Sequence, residues 1–456
     1  MQAQDDGSNV ASNAYDVVLI GAGPAGEHCA ARLSAGGLRV AIVERELVAG
    51  ECSYWACIPS KTLLRPGEAV AGALAAPGAR EAVTGAIDVD QALAWRDFMV
   101  SDYDDSAQAR WLADNGIDLY RGSGAITGPG TVSVGDSTLR ARQIILATGS
   151  EPVIPPIDGL RDLDGVWTNR EATGLKQVPE SIVVLGGGPV GVEMAQALHR
   201  LGAKATIVEG MDHLLPREPR ALGEALAIAL RADGIDLRLG SRATNVAKQD
   251  GSYVVSFPDG EPVSAERLMV ATGRRPRVAD IGLETVGIEP DPHGLKVDAQ
   301  MKVADGVWAI GDVTGVWPLT YVGKYQGRIA ASNILGEPRE ANYEAVPRVV
   351  FTDPSAAAVG AADGPLTATA PISEVPRTST YTRDYADHPG FLTLVSDGER
   401  LTGAYALGPD AGEWMQQATL AIRARVPLAV LRDTIQPFPT FSEIFFFALD
   451  RMGTVA

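Results

Sequence analysis

The feature that most constrains this chain is a strand, turn and helix pattern with glycines at fixed spacing. A short apolar run ends in a GxGxxG turn at Gly21, Gly23 and Gly26, a helix-like segment follows, and a second apolar run ends in Glu44. The first glycine permits a tight turn, the second lets backbone N–H groups approach a pyrophosphate, and the third lets the helix pack close to the sheet. Glu44, 23 residues after Gly21, is placed to accept a ribose hydroxyl. The pattern predicts a dinucleotide-binding fold.

The same pattern occurs a second time, later in the chain. Gly186, Gly188 and Gly191 follow an apolar run, and the next apolar strand ends in Glu209, again 23 residues after the first glycine. A single GxGxxG is a weak signal, but here the strand, the helix and the acid follow at the expected distances in both copies. The sequence therefore predicts an α/β protein with two Rossmann-like dinucleotide-binding domains.

Three further apolar runs end in residues suited to a ligand-binding edge. The runs 144–149 and 268–273 both end in Ala-Thr-Gly, where the chain could cross between domains. A third run ends in Gly311 and Asp312, and an acid at the C-terminal end of a strand faces the crevice where open α/β sheets bind ligands. Ordinary buried strands and a turn aspartate are the alternative interpretations.

Length and charge exclude several classes of protein. The chain of 456 residues has room for about three domains. Lys and Arg number 39 and Asp and Glu 57, so the net charge of −18 would repel a nucleic acid or an anionic membrane. No apolar stretch is long enough to span a membrane. Residues 1–14 contain no basic residue and no apolar run, and we expect a disordered leader in a cytoplasmic protein.

Two of the three cysteines, Cys52 and Cys57, lie close together just after the first glycine-turn unit. Zinc is a poor explanation because Cys29 and the histidines do not complete a four-ligand pattern, and no metal site is predicted. So few cysteines indicate a reducing compartment, in which a close pair is more often catalytic than structural. Pro59 suits the first turn of a helix, which would place Cys57 near a helix N-terminus that stabilises a thiolate. Two unrelated buried cysteines are the alternative, and Cys29 is expected in the core.

These segments together resemble the pyridine nucleotide-disulphide oxidoreductase family, which includes dihydrolipoamide dehydrogenase, glutathione reductase and mercuric reductase. The resemblance covers about 15–449 and also includes the segments 350–354, 408–413 and 439–443. It implies an FAD-binding domain, an NAD(P)-binding domain inserted within it, and a C-terminal α+β domain that forms a homodimer. The implied boundaries are 15–150 with 272–340 for FAD, 151–271 for NAD(P), and 341–456 for the interface.

The resemblance also implies roles for individual residues. Cys57 would face the flavin, Cys52 would exchange with the substrate, and Lys61 would pair with Glu193 beside flavin N5. A solvated helix lysine is the alternative for Lys61. The implied FAD contacts are Gly21, Gly23, Gly26, Glu44, Arg45, Lys61, Gly124, Thr148, Gly149, Ser150 and Asp312, with Pro318, Leu319, Thr320 and Tyr321 around the isoalloxazine. The implied contacts of the nicotinamide dinucleotide are Gly186, Gly188, Gly191, Glu193, Glu209 and Gly273. NADH is expected to be preferred, with NADPH possible, because Glu209 would repel a 2′-phosphate and no arginine follows until Arg217.

The chain departs from the family near its C-terminus. Dithiol and disulphide enzymes of the family carry His-Pro-Thr-x-x-Glu, whereas this chain has Phe438 in the histidine position and retains Glu443. A benzyl ring supplies no acid–base help, which argues against efficient turnover of glutathione or lipoamide. Mercuric reductase also lacks this histidine but adds a C-terminal cysteine pair that is missing here. Between the cysteines, Tyr54 and Trp55 replace the small or amide residues usual in the family and are expected to narrow or restack the substrate mouth.

Several functions are compatible with this pattern. The leading hypothesis is an NAD(P)H oxidoreductase that passes electrons through FAD and a Cys52–Cys57 disulphide to a small, non-standard disulphide, thioether or related substrate. Its active site would be completed across the homodimer interface. The alternatives are C–S cleavage, a quinone or small-electrophile reductase, and a non-enzymatic flavin-binding redox sensor. C–S cleavage is considered because Phe438 resembles the apolar residue of 2-ketopropyl coenzyme M oxidoreductase/carboxylase. That carboxylase has histidine where this chain has Glu443, so the match is partial.

Overall fold

The computed structural model describes residues 13–453. The predicted disordered leader, 1–14, therefore lies outside the described residues except for its last two positions, and Ala14 already begins the first strand. The chain forms two compact units. The first contains the described residues up to Cys52, Tyr103–Glu151 and Arg275–Ala341, and the second contains Ser53–Asp102, Pro152–Arg274 and the residues from Asn342 onward.

Helices and strands alternate in parts of the chain, and elsewhere several strands follow one another. The first half contains β1 (Ala14–Ile20), α1 (Pro24–Ala35), β2 (Val40–Glu44), α2 (Gly50–Tyr54), α3 (Cys57–Ala75), α4 (Val89–Met99), α5 (Ser106–Asp114), β3 (Ile117–Arg121), β4 (Gly124–Gly128), β5 (Thr131–Val134), β6 (Ser137–Leu146), β7 (Ser150–Pro152), α6 (Asn169–Thr173), β8 (Ser181–Leu185), α7 (Pro189–Arg200), β9 (Lys204–Val208) and α8 (Arg220–Ala232). The second half contains β10 (Asp236–Arg238), β11 (Asn245–Gln249), β12 (Ser252–Ser256), β13 (Val263–Ala265), β14 (Arg267–Val270), β15 (Arg274–Pro276), β16 (Lys302–Ala304), β17 (Val307–Ala309), α9 (Thr320–Ile334), β18 (Arg348–Val350), β19 (Ser355–Gly360), β20 (Leu366–Pro371), α10 (Pro376–Tyr381), β21 (Phe391–Ser396), β22 (Leu401–Gly408), α11 (Ala411–Trp414), α12 (Gln416–Arg423), α13 (Leu428–Arg432) and α14 (Ile444–Arg451). Short 3₁₀ helices cover Arg80–Ala82, Ser101–Tyr103, Leu160–Asp162, Leu283–Val286, Gly311–Thr314, Ile372–Glu374, Tyr385–Asp387 and Phe441–Glu443.

The first unit is built on one twisted sheet in the order β16-β17-β6-β1-β2-β3, with β4 and β5 joined to it through β6. The strands β17, β6, β1, β2 and β3 are parallel, and Leu19 of β1 lies opposite Ile42 of β2 and Ile145 of β6. Residues on both faces of β1 are buried, as is usual for a central strand of a parallel sheet covered by helices. This arrangement places the C-terminal ends of β1 and β6 side by side.

The second unit contains another parallel sheet, in the order β10-β9-β8-β14. Val183 and Val184 of β8 and Leu268 and Met269 of β14 are fully buried in it. A three-stranded antiparallel sheet, β11-β12-β13, packs into the neighbouring core through Tyr253. The C-terminal ends of β8 and β14 again lie next to each other, because the two strands are parallel neighbours.

The C-terminal part of the second unit is a five-stranded antiparallel sheet in the order β18-β19-β22-β21-β20. Its core joins sheet residues such as Leu392 and Leu394 to residues of α14 such as Phe445, which are all nearly inaccessible to solvent. The two parallel sheets and this α+β region confirm the predicted fold class. The predicted domain boundaries stay a prediction.

Within residues 13–453, no helix is both long and apolar enough to cross a membrane.

Candidate active site

The first glycine turn connects β1 to α1 and leaves space where a phosphate would bind. Gly21 has a φ of +109°, and a side chain there would collide with the carbonyl oxygen of Ala147. A side chain at Gly26 would collide with the carbonyl oxygen of Gly21, so the helix packs against the turn only because Gly26 is a glycine. Above Gly23, in contrast, nothing lies within 4 Å of the position that a Cβ would take. The open space at the start of α1 fits a dinucleotide pyrophosphate.

The second glycine turn, between β8 and α7, repeats this geometry. Gly186 has a φ of +112°, and a side chain there would meet the carbonyl oxygen of Ala271. A side chain at Gly191 would collide with Gly186, and the space above Gly188 is open. Both turns therefore have the shape that a bound dinucleotide requires.

The two predicted ribose-binding acids are held in the same way. Glu44 accepts a hydrogen bond from the backbone N–H of Ala22 at 2.8 Å, and Glu209 accepts one from the N–H of Gly187 at 2.7 Å. The other oxygen of each carboxylate accepts the N–H of the second residue after it, at 2.8 Å. Each oxygen keeps a further lone pair, so each carboxylate can also accept a ribose hydroxyl.

A second set of predicted FAD residues meets at the C-terminal ends of β6 and β17. The hydroxyl of Ser150 donates to Oδ2 of Asp312 at 2.6 Å. Gln326, which no sequence motif singled out, is fully buried and accepts the N–H of Gly311 at 2.7 Å. The only sequence signal that could have indicated Gln326 is that it is a single glutamine on a helix face of otherwise small and apolar residues. These contacts hold the Gly311–Asp312 turn in a fixed position.

Each of the remaining predicted FAD residues of the first unit has different neighbours. Arg45 is exposed, and its guanidinium lies 3.9 Å from the carboxylate of Glu46. Gly124 faces Val43 so closely that a Cβ would lie 3.0 Å from it. Thr148 donates its hydroxyl to the backbone carbonyl of Arg277 at 2.7 Å.

The segment predicted around the isoalloxazine contacts a cysteine. α9 begins at Thr320, directly after Pro318 and Leu319, and Tyr321 is exposed. The hydroxyl of Thr320 lies 3.3 Å from Sγ of Cys52, to which it donates. The first unit thus brings together one predicted flavin-site residue and the cysteine predicted to react with substrate.

Glu27, on the first turns of α1, is a titratable group that no sequence motif singled out. Its pKa is raised to about 7, chiefly by burial; Lys324 opposes the rise and the carboxylate of Glu44 adds to it. No local pattern marks this residue, because the helices α1 and α9 pack together only in the folded chain.

Cys57 is the first residue of α3, a helix of 19 residues. Pro59 is the third residue of this helix, so the prediction that Cys57 lies at a helix N-terminus is confirmed. The N-terminal end of a helix carries positive partial charge, which favours a thiolate at this position. Cys29, in contrast, is fully buried as predicted, and burial raises the pKa of its thiol to about 12. Cys29 is therefore a core residue.

Lys61 and Glu193 form an ion pair with a distance of 2.6 Å between Nζ and Oε2. Lys61 lies one helical turn after Cys57 on α3, and Glu193 is a nearly buried residue of α7. The other carboxylate oxygen of Glu193 accepts the backbone N–H of Phe351 at 3.0 Å, and Nζ of Lys61 lies 4.5 Å from the centre of the Phe351 ring. The role predicted for this pair beside flavin N5 stays a prediction.

The two aromatic residues between the cysteines differ in their surroundings. Tyr54 is only 1% exposed, and its ring packs into the interior beside Trp55, with 5.7 Å between ring centroids. That the two aromatic residues narrow or restack a substrate mouth stays a prediction. Trp55 is partly accessible, and the guanidinium carbon of Arg170 lies 4.1 Å from the centre of its ring. No sequence pattern indicated the contact between Arg170 and Trp55, because the two residues lie more than a hundred positions apart.

The C-terminal segment exposes the residue that replaces the family's histidine. Phe438 is 70% exposed. Glu443 follows five residues later, and its Oε2 atom is shielded from solvent and has no hydrogen-bond partner within residues 13–453. A buried carboxylate oxygen of this kind can accept a hydrogen bond from a group that enters the site.

Two open glycine turns, each with an acid at the end of the following strand, together with a cysteine at a helix N-terminus, define a dinucleotide-dependent oxidoreductase of the Rossmann type. Comparison with known families specifies the class. Residues 15–327 match the model described as pyridine nucleotide-disulphide oxidoreductase, and residues 346–448 match its dimerisation domain. The chain belongs to the pyridine nucleotide-disulphide oxidoreductase family, as its sequence predicts.

Individual relatives cover almost the whole chain. A dihydrolipoyl dehydrogenase of Thermus scotoductus is 34% identical over 453 residues, which are 94% of this chain and 95% of the relative. A mercuric reductase of Staphylococcus aureus is 30% identical over 444 residues, which are 94% of this chain and 81% of the relative. Among solved structures, the HOCl-induced flavoprotein disulfide reductase RclA from Escherichia coli superposes with a TM-score of 0.84 at 28% identity, covering 96% of this chain and 99% of the other.

Members of this family bind FAD and use NAD(P)H, which confirms the predicted cofactors. The dimerisation domain supports the predicted homodimer.

Proposed function

We propose that this chain is an NAD(P)H-dependent flavoprotein that passes electron pairs through Cys52 and Cys57 to a small substrate other than a standard dithiol. The observation that carries the proposal is the position of Cys57 at the start of α3, with the Lys61–Glu193 ion pair one helical turn further on. This arrangement provides a stabilised thiolate and a fixed positive charge on the same helix face.

When bound, FAD supplies the two-electron relay between a nicotinamide hydride donor and the cysteine pair. Reduction of the disulphide by one electron pair breaks the S–S bond and leaves a thiolate at Cys57 and a thiol at Cys52 after uptake of one proton. Cys52 then attacks the substrate, and Cys57 displaces the product by re-forming the disulphide. The role of Lys61, held by Glu193, is to present its ammonium group where negative charge develops on reduction.

The cofactor contacts and domain boundaries predicted from the sequence are part of this proposal. The first glycine turn, with Glu44, Ser150 and Asp312, would hold FAD, and the second glycine turn, with Glu209, would hold the nicotinamide dinucleotide. We further propose that a homodimer completes the active site and that the protein works in a reducing, cytoplasmic compartment, which its three cysteines support.

Phe438 supports the choice of a non-standard substrate. Thiol–disulphide exchange with a poor leaving group needs a proton donor beside the outer cysteine, and a phenyl ring cannot supply one. A second candidate function, C–S bond cleavage with protons excluded, is favoured by the same observation, because an apolar side chain would keep protons from a carbanion. A quinone or small-electrophile reductase needs no proton donor at Cys52.

An anaerobic titration with NADH tests the proposed electron path without knowledge of the substrate. The wild-type holoenzyme should take up about two equivalents of NADH per FAD, one for the flavin and one for the cysteine pair. Cys52→Ser should take up about one equivalent. Cys29→Ala is the matched control, since Cys29 lies in the core, and it should behave as the wild type. Uptake of one equivalent by the wild type would exclude a redox-active cysteine pair.

A panel of acceptors then separates the substrate classes. Steady-state NADH oxidation should be measured with lipoamide, small disulphides, thioethers and quinones, each in the wild type and in Cys52→Ser. Loss of activity in Cys52→Ser identifies acceptors that react at the cysteine pair, whereas an acceptor reduced equally by both proteins reacts at the flavin.

A further inference from the structure

The loop between the two cysteines is held by the short helix α6. The backbone carbonyl of Trp55 accepts a hydrogen bond from Nδ2 of Asn169 at 2.8 Å and another from the hydroxyl of Thr173 at 3.2 Å. Asn169 is 6% exposed and Thr173 is 1% exposed. Because both donors are buried, water does not compete with them, and two hydrogen bonds hold the carbonyl two residues before Cys57.

The side chain of Trp55 is held by the same helix. The guanidinium of Arg170 stacks on the indole, with its central carbon 4.1 Å from the ring centre. Indole is the strongest partner among aromatic side chains for such a contact. Both the main chain and the side chain of Trp55 therefore take their positions from α6.

α6 is itself fixed at both ends. Thr168 and Glu171 form a capping box at its N-terminus. At its C-terminus the fully buried Arg96 donates to the carbonyl oxygens of Thr173 and Leu175. These contacts hold the backbone of α6 in place at both ends.

Asn169 also contacts the end of the second Ala-Thr-Gly strand. Its Oδ1 atom accepts a hydrogen bond from Nη1 of Arg274 at 3.0 Å. Arg274 directly follows Gly273, which has a φ of +127° and no neighbouring atom within 4 Å of its Cβ position. The guanidinium can only donate and the Trp55 carbonyl can only accept, so the amide of Asn169 satisfies both partners in one orientation.

We propose that Asn169 is a positioning residue that couples the nicotinamide dinucleotide site to the cysteine pair. The inference rests on the proposed function, because it requires Gly273 to border the dinucleotide and Cys57 to be redox-active. A dinucleotide that moves Arg274 changes the hydrogen bond to Asn169 and thereby the position of the Trp55 carbonyl and of Cys57. By linkage, the redox state of the cysteine pair then changes the affinity for NAD⁺ by the same factor.

The test measures this coupling factor directly. The equilibrium between the cysteine pair and a dithiol/disulphide buffer is determined by thiol alkylation of the holoenzyme, with and without saturating NAD⁺. In the wild type we expect NAD⁺ to change the equilibrium constant about tenfold, which is about 30 mV for a two-electron couple. In Asn169→Asp, which cannot donate to the Trp55 carbonyl, we expect less than about a twofold change.

Two further variants locate the coupling. Arg274→Met removes the contact from the dinucleotide side and should abolish the coupling even though it leaves Asn169 in place. Thr173→Val removes the second hydrogen bond to Trp55 without touching Arg274, so NAD⁺ should still change the equilibrium about tenfold. Asn245→Asp changes an exposed asparagine on β11 and is the matched control for the added charge.

Full coupling in Asn169→Asp and Arg274→Met would overturn the proposal, as would its absence in the wild type. If Asn169→Asp does not fold, the effect of NAD⁺ on the thiol–disulphide equilibrium of Arg274→Met alone decides whether the proposal holds. Failure of the proposed function has a different signature, because the cysteine pair would then take up no electrons in the NADH titration, whatever residue is present at 169.

Discussion

Replacement of Phe438 by histidine should restore disulphide reductase activity to this chain. A phenyl ring can neither give nor take a proton, whereas imidazole does both near neutral pH. The retained Glu443 has a shielded Oε2 atom without a hydrogen-bond partner within residues 13–453, and this atom can accept the N–H of an introduced imidazole. The family's His-Pro-Thr-x-x-Glu segment implies this pairing.

The magnitude follows from the worth of a positioned acid–base and from the exposure of the site. General acid–base catalysis contributes roughly 10²- to 10⁴-fold in rate. Position 438 is 70% exposed in the single chain, so solvent weakens the hydrogen bond that orients the ring. We therefore take about tenfold, or about 1.4 kcal/mol, as the least gain expected in NADH-dependent reduction of lipoamide or a simple disulphide. Any native activity that does not involve a disulphide should fall.

The assay compares kcat/KM for Phe438→His with that of the wild type and of Phe438→Leu, which removes the ring without supplying a proton. Adding Glu443→Gln to Phe438→His should lower the gain, because a neutral amide orients and stabilises the imidazolium less well. A further variant, Phe438→His with Trp55→Val, tests whether the indole blocks access to the outer cysteine. Tyr54 is left unchanged because it is buried. If none of the histidine variants gains activity while NADH reduces the flavin normally, the proposed role of Phe438 is refuted.

The cysteine pair, the acid at Glu209 and the partly buried Glu27 each allow a further prediction. Two-electron reduction of the holoenzyme should produce a long-wavelength absorbance band that Cys57→Ser lacks, and its persistence in that variant would assign the band to another donor. Because Glu209 repels a 2′-phosphate, kcat/KM should be higher with NADH than with NADPH, and a higher value with NADPH in the wild type would contradict this preference. Arg242 lies beside Gly210, since its Cγ would be 3.2 Å from a Cβ at that glycine. Arg242→Ala should therefore lower any remaining use of NADPH. Burial raises the pKa of Glu27 from 4.5 to about 7, so the folded state binds a proton that the unfolded state has lost, and stability should fall as the pH rises from about 4.5 to about 7. Glu27→Gln should remove this loss, which at about 1.36 kcal/mol per pH unit amounts to no more than about 3.4 kcal/mol. A difference in Tm between pH 5 and pH 8 that is equal in both proteins would show that Glu27 is not responsible.

The sequence alone determined the features that depend on local geometry. Both glycine turns were predictable because a positive φ at Gly21 and Gly186 and the close helix packing that follows can be met only by glycine at that spacing. The helix position of Cys57 was predictable because Pro59 restricts the backbone within a few residues. The family resemblance supplied the pairing of Lys61 with its acid, which no local rule could have given.

Only the tertiary structure decided which distant groups meet. Lys61 and Glu193 are 132 positions apart, and the hydrogen bond between Asn169 and the Trp55 carbonyl joins positions 114 apart. The burial of Tyr54 could not be read from the sequence for the same reason, because exposure depends on what the rest of the chain packs against a residue and not on its neighbours in sequence. Backbone sterics and periodicity act within a few residues and can be read from the sequence, whereas contacts between distant segments exist only after the intervening helices and strands have packed.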